Sequence, residues 1–373
     1  MARTRAKLLP AAQGYRMPAE WEPHESTWLA WPHFRGDWPE KFEPIPWVYA
    51  EIVRNLARHE RVDLIVNDAS WEKRARSVLE KAGALSENIR FHRWPTDRVW
   101  TRDSGCIFLT PPADHHRDRD RDDADNGLLA LHFQFNAWAK YPNYSLDETN
   151  GERMAKAAGA RLVQPFSKKH RVVLEGGSID INGRGTLLTT EECLLSTTQQ
   201  RNPPMDRAAY ERLFADYFGV QSVIWLDSGI AGDDTHGHVD DITRFVAPNT
   251  VVTMVEQNER SENHAALHAN LGRLKNARTS DGQKLQIVEI PMPGPVVFED
   301  RQLPASYANF YIANGAVLVP VFNDPNDRIA LNILAEVFST REIVPIYSGD
   351  LIWGFGALHC MTQQQPQKPA AGS

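Results

Sequence analysis

The chain has 373 residues, 42% hydrophobic and 24% charged, an ordinary globular composition that excludes disordered and fibrous classes. With 41 Lys and Arg against 48 Asp and Glu, the formal net charge is -7. No general attraction to nucleic acid or to an anionic membrane is expected, whereas a small cation is an admissible partner. Three scattered cysteines, Cys106, Cys193 and Cys360, make neither a disulfide framework nor a Cys-x-x-Cys zinc site. The first residues are basic and interrupted by Pro10, without the apolar stretch of a secretory signal. No run approaches the ~18 apolar residues of a membrane span. The expected location is the cytoplasm.

In chain order, helical spacing recurs next to strand-like runs. Val48, Ile52 and Leu56 mark a helix that leads to a strand at Val62–Val66. The stretch 114–126 alternates acids with Arg and His and has nothing to bury. It is read as a solvated charged loop, His115 and His116 included, rather than a metal site. Leu128–Phe135 and Thr186–Thr190 read as strands. A helix marked by Tyr210, Leu213 and Tyr217 then leads to Val223–Leu226. Strands at Arg244–Val246 and Val251–Val255 precede a helix at Leu267, Leu271 and Leu274 and a strand at Leu285–Ile290. Gly315–Val321 precedes a helix at Ile329, Ile333 and Val337 and a strand at Ile343–Ile346. Each helix comes with more than one strand, which argues for α/β without simple alternation. No residue repeat of fixed period is visible, although a diverged structural repeat escapes such inspection. The Gln- and Pro-rich stretch Gln363–Ser373 reads as a fraying tail. No linker divides the chain, so a single domain over 1–373 is expected, ordered over about 12–366 with 364–373 as the tail. Trp21, Trp28 and Trp31 are expected to pack the fold.

Four stretches place acids, His and Cys beside Gly and aromatic residues: Val99–Gly105, Leu174–Asp180, Asp233–Asp241 and Gly354–Gln363. In the third, His236, His238 and Asp240 alternate, so in a strand they would share one face. Thr235-His236-Gly237-His238-Val239-Asp240 is similar to the ligand signature of metallo-β-lactamase-type hydrolases, but Asp241 stands where that family has His. His264 and His268, four apart on an expected helix, lack the Glu of a zinc-protease helix. A solvated acidic turn ahead of a strand fits the same residues.

The other chemistry is a Cys–His pair. Cys106 and Cys193 lie in apolar runs and read as small buried apolar residues. Cys360 follows Gly354 and Gly356 on an expected turn, where backbone amides would favour a thiolate. A nucleophilic Cys needs a His and a group that orients it, and His238 and Glu175 are candidates. Asp103 and Asp240 then have a use if the substrate is a guanidinium. That cation is planar, carries five N–H donors and matches carboxylates in a two-bond fork. Two acids would hold it flat and offset its desolvation, leaving its central carbon open to attack from one face.

Together with Arg16–Glu25 and Thr27–Pro32, these stretches resemble the agmatine deiminases and the related bacterial-type peptidylarginine deiminases. The shared motifs are Trp-Thr-Arg-Asp-Ser-Gly at 100–105, Leu-Glu-Gly-Gly-Ser at 174–178, Gly-His-Val-Asp at 237–240 and His-Cys-Met-Thr-Gln-Gln at 359–364. The resemblance implies an α/β fold, a five-bladed αβ propeller (pentein) of pseudo-fivefold symmetry. It also implies Cys360 as nucleophile, His238 as general acid/base and Glu175 orienting His238, with Asp103 and Asp240 gripping the guanidinium. No metal and no organic cofactor are implied. The reaction implied is hydrolytic deimination through a Cys thiouronium intermediate, agmatine giving N-carbamoylputrescine and ammonia. The expected partner is that small guanidino cation, not nucleic acid or membrane, with homo-oligomerisation left open. Trp100 is expected to line the pocket, and Asp234, with Asp233, to face the far amine. The chain departs from common family residues at Cys106, at Phe355, Ala357 and Leu358, and at His236. Peptidylarginine or free arginine as substrate, a non-catalytic guanidinium-binding module and a metal-dependent hydrolase are the competing readings.

Overall fold

The computed structural model describes residues 9–112, 127–203 and 205–368. The charged stretch 114–126, with His115 and His116, lies outside the described residues. Within them, five sheets share one plan. In each, a first strand runs antiparallel to a central strand, which pairs in parallel with a third. A parallel partner is out of reach of a tight turn, so a crossover helix separates the second and third strands.

The central and third strands are His24–Ala30 with Arg61–Val66, Leu129–Leu131 with Arg161–Val163, and Thr186–Thr190 with Ser222–Leu226. Thr250–Val255 with Gln286–Pro291 and Ala316–Val321 with Glu342–Tyr347 complete the set. The crossover helices, in the same order, are Ile45–Leu56, Asn150–Ala158, Arg207–Phe218, Glu262–Asn276 and Asp327–Val337. The antiparallel first strands are Ile107–Leu109, Asp180–Ile181, Thr243–Ala247 and Tyr311–Ile312. For the N-terminal sheet that strand is Gln363–Pro366, from the far end of the chain. A further crossover, helix Ala69–Lys81, adds strand Ile89–Arg93 to this sheet. The fold is mixed α/β, and the repeat hidden in the residues is explicit in the strand pairing.

The expected elements fall inside these units, with three corrections. Leu128–Phe135 contracts to Leu129–Leu131. The helix marked by Ile329, Ile333 and Val337 exists, and Ile333 and Val337 pack half-buried against the core beside the buried Ala330 and Leu334, but Ile329 is 45% exposed. Each i, i+4 step turns about 40° around a helix, so the first member of such a row can leave the face that the later ones share. The fraying expected from Gln363 onward is overturned over Gln363–Pro366. There Gln364 Oε1 accepts Arg102 Nη1 at 2.7 Å, and Gln365 Oε1 accepts the Trp28 indole N–H at 3.1 Å. The strand pairing satisfies the backbone and these partners take up Gln364 and Gln365, while among the described residues Gln363 Oε1 is buried without a hydrogen-bond partner. Trp28 and Trp31 are buried as expected, and Trp21 is half-buried. Among the described residues no helix is long and apolar enough to cross a membrane.

The repeat also organises the polar residues. The segment entering each first strand carries Asp103, Glu175 with Gly177, His238 with Asp240, Asn309, and Cys360 in turn. The chemistry-bearing side chains therefore come from five equivalent places in the fold.

Candidate active site

Cys360 occupies the turn 358–361 that leads into Gln363–Pro366. Arg102 N–H donates to its carbonyl at 3.2 Å, and Thr101 Oγ1 donates to the Met361 carbonyl at 2.7 Å. The short helix Thr101–Ser104 is thereby fastened to the Cys360 turn. Asn309 fastens the other side: its Oδ1 accepts His359 N–H at 3.0 Å, and its Nδ2 donates to Cys360 Sγ at 3.1 Å. Cys360 Sγ lies 3.7 Å from Asp240 Oδ2.

His238 is buried among carboxylates. Its Nδ1 stands 3.9 Å from Asp103 Oδ2 and 4.0 Å from Asp240 Oδ1, and its Nε2 stands 3.8 Å from Glu175 Oε2. Among the described residues neither ring nitrogen makes a close hydrogen bond, so the imidazole is free to pass a proton. Burial opposes its charge, but Asp103, Cys193 and Glu175 outweigh that and hold it protonated well above the usual histidine range. Glu175 is secured by Arg201 Nε at 3.1 Å. Burial would push its carboxyl up, yet Arg201 and His238 bring it down to about 2.

Asp103 Oδ2 accepts the Trp138 indole N–H at 2.9 Å and Oδ1 accepts Gly177 N–H at 3.0 Å. Burial, reinforced by Asp240 and Glu175 and opposed by His238, pushes its carboxyl up to about 6. Asp240 Oδ2 pairs with His359 Nδ1 at 2.7 Å, whose Nε2 meets Glu20 Oε2 at 2.8 Å. Gly177 faces the space these groups enclose. A Cβ there would stand 2.6 Å from His238 Nδ1, 2.9 Å from Asp240 Oδ2 and 3.0 Å from Asp103 Oδ1. Any side chain at Gly177 would fill the space in which acids, imidazole and thiol converge.

Residues 16–366 match the Porphyromonas-type peptidyl-arginine deiminase family. The chain belongs to this family. It is 34% identical to an agmatine deiminase of Pseudomonas aeruginosa (strain LESB58), over 96% of this chain and 97% of that protein. An agmatine deiminase of Stutzerimonas stutzeri (strain A1501) is 33% identical, with 96% and 97% covered. The fold is similar to that of an agmatine deiminase of Enterococcus faecalis, with a TM-score of 0.85 and 27% identity over 96% of this chain and 98% of that one. An agmatine deiminase of C. jejuni with substrate bound gives a TM-score of 0.81 and 28% identity over 95% and 97%.

In this deiminase-family chain the five residues expected from the motifs meet at one place, which opens into a narrow cleft of about 80 Å³. Cys360, Asp103, Trp100 and Asp234 all line that cleft. Trp138 lines it too and was not legible in the sequence. It sits in a left-handed turn, with φ of 48° at Ala137, 60° at Trp138 and 53° at Ala139. Such backbone costs about 1–3 kcal/mol per residue and persists where surroundings over-determine it. Here the Trp138–Asp103 bond does so. Arg201, Asn309, His359 and Glu20 are also site residues that no spacing rule singles out, since each acts through a partner distant in sequence.

Three expectations are corrected. Turn amides do not outweigh what opposes a Cys360 thiolate. Burial, with Asp240, Asp241 and Asp103, pushes the thiol well up, and Asn309 only partly offsets them. His236 does not share a strand face with His238 and Asp240. Its backbone is left-handed, with φ of 64°, and its ring reaches Ser196 Oγ at 3.1 Å, while Val239–Asp241 is a 3-10 turn. The Thr-His-x-His-x-Asp metal arrangement is therefore not formed. Asp233 does not face the cleft but organises this turn, its Oδ2 accepting Gly237 N–H at 2.7 Å and His238 N–H at 3.1 Å. Among the described residues one group has metal-ligand spacing, Glu175, Cys193 and His238, within 4.8 Å of one another. Cys193 is thus a buried residue as expected, yet a neighbour of the imidazole.

Proposed function

We propose that the protein hydrolyses agmatine to N-carbamoylputrescine and ammonia, as a single catalytic domain. The observation that carries this reading is the convergence of Cys360, His238, Asp103 and Asp240 on the space beside Gly177. We further propose that the five units surround a pseudo-fivefold axis as a propeller with the site near that axis. The repeated strand plan, its completion by Gln363–Pro366 and the equivalent origins of the site residues support this.

Asp103 and Asp240 grip the guanidinium, and its charge offsets the carboxylates that hold the Cys360 thiol neutral. The thiol then gives up its proton to solvent water as the substrate cation enters, since His238 is already protonated, and the thiolate attacks the guanidinium carbon. The protonated His238, oriented by Glu175, donates its proton to one nitrogen, which departs as ammonia. The C–N bond breaks as the C–S bond remains, leaving an S-alkylthiouronium cation. His238, now neutral, takes a proton from water as that water attacks the same carbon. Collapse expels the Cys360 thiolate and releases the ureido product. Trp100 walls the cleft, and Asp234 stands on its rim. No step requires a cofactor.

Ammonia release is the test, with purified protein supplied separately with agmatine, free arginine and a blocked peptidylarginine. Turnover of agmatine that is absent in Cys360→Ala is expected. Silence with agmatine in the wild type, or turnover in the variant, would refute the assignment. A pH dependence follows from Asp103. Only its ionised form holds a cation, so kcat/KM is expected to climb as pH rises through about 6 and to be lost below it. A profile that stays flat across that range removes Asp103 from the grip.

A further inference from the structure

The rim of the cleft is wired differently from the sequence expectation. Asp234 already accepts Lys140 Nζ at 2.5 Å, Arg301 Nη2 at 2.9 Å and the Tyr141 hydroxyl. Two cations and a phenol leave this carboxylate satisfied and its charge offset. Lys140 and Tyr141 follow the left-handed turn at 137–139, while Arg301 belongs to the hairpin Val296–Phe298/Arg301–Leu303. Arg301 also lies over the Phe355 ring, 4.2 Å from its centroid. Asp234 thus ties two separate loops together at the cleft.

Asp37 lines the same cleft in a different state. Its Oδ1 accepts Arg98 Nη1, but among the described residues its Oδ2 has no hydrogen-bond partner, although the side chain is 1% exposed. A buried carboxylate oxygen without a donor is unfavourable until something supplies one. Burial pushes this carboxyl up to about 7, against the pull of Arg98 and of the Trp100 indole, which stands beside the carboxyl without closing a well-formed hydrogen bond to Oδ2. An incoming cation would relieve both conditions. An ammonium, a compact charge with three donors, can serve a single carboxylate oxygen, whereas a guanidinium fork needs two. Trp100 adjoins Asp37 through its indole and leads by backbone into the Thr101–Ser104 helix that carries Asp103. One tryptophan therefore walls the cleft between the guanidinium acids and Asp37.

Building on the reading of the protein as a guanidinoalkylamine deiminase, we infer that Asp37 receives the distal ammonium of the substrate and sets the preference for a cationic far end, while Asp234 clasps the rim. The test compares agmatine with butylguanidine, which has the same chain and no amine, in the wild type, Asp37→Asn, Asp37→Glu and Asp234→Asn. Asp37→Asn is expected to lower kcat/KM for agmatine about 10–100-fold, chiefly through KM, and to leave butylguanidine within about threefold. Asp37→Glu should keep most of the preference. Asp234→Asn should weaken both substrates together. A wild-type preference retained in Asp37→Asn, an equal loss of both substrates there, or a preference lost only in Asp234→Asn would overturn the inference.

A second reading needs no variant. Asp37 is faced by Arg98, Asp234, Asp147 and Tyr49. The agmatine-to-butylguanidine ratio of kcat/KM is expected to increase several-fold from about pH 6 to about pH 8, as Asp37 ionises. Taking the ratio cancels the titrations that both substrates share, and a flat ratio would overturn the assignment of Asp37. Wild-type protein inert toward both guanidines, with Cys360 unreactive to a haloacetamidine, would instead remove the deiminase reading and this inference with it.

Discussion

Replacing His238 by Gln is expected to lower kcat for agmatine by about 10²–10⁴-fold, the range contributed by a positioned acid–base group. The expectation rests on two roles of one ring. Among the described residues His238 is the only imidazole set between Asp103, Asp240 and Glu175 at 3.8–4.0 Å, where it can deliver a proton to departing nitrogen and later recover one from water. It is also a positive charge among the carboxylates Asp103 and Asp240, which, after burial, help hold the Cys360 thiol neutral. Its loss should therefore slow alkylation of Cys360 by a haloacetamidine as well as turnover. Gln keeps the volume and hydrogen-bonding capacity, so a collapsed pocket is not the cause of the effect. A variant within tenfold of wild-type kcat would take the acid–base role away from His238.

Arg244→Met is expected to destabilise the fold by about 3–5 kcal/mol, the cost of stranding buried charges. Arg244 is fully buried, with Nε 2.6 Å from Asp180 Oδ2, Nη2 2.9 Å from Glu20 Oε2, and Nη1 donating to the Phe310 carbonyl at 2.8 Å. Glu20 is held well below the usual carboxylate range, burial being outweighed by Arg244, His359 and Arg102. Removing the guanidinium leaves Glu20 and Asp180 undercompensated in the interior. The loss should extend to the site, because Glu20 positions His359 and His359 holds Asp240. Urea unfolding followed by tryptophan fluorescence reads the stability, and a midpoint unchanged from wild type would show that the network is dispensable.

Much of the fold was legible because local spacing is enough for it. Thr186–Thr190 is a strand over the residues expected, and the four apolar-marked helices exist. Helix Ala69–Lys81 was not visible, since the apolar residues it buries are only Ala75 and Leu79, even though Asp68 caps its first turn. Gln363–Pro366 was misread because nothing in a glutamine run reveals that Arg102 and Trp28, over 260 residues away, wait to satisfy it.

The sequence by itself determined the candidate set. Cys360, His238, Glu175, Asp103 and Asp240 stand in motifs whose residue types fit cleavage of a guanidinium, with a binding module and a metal-dependent hydrolase as the competing readings. Tertiary structure alone decided their condition. It placed the thiol among carboxylates that keep it neutral, saturated Asp234 with Lys140 and Arg301, and left Asp37 Oδ2 without a donor. The physical reason is that residue identity fixes which groups can carry charge or share protons. Whether they do so depends on burial and on neighbours within a few ångströms, which here come from segments far apart in the chain.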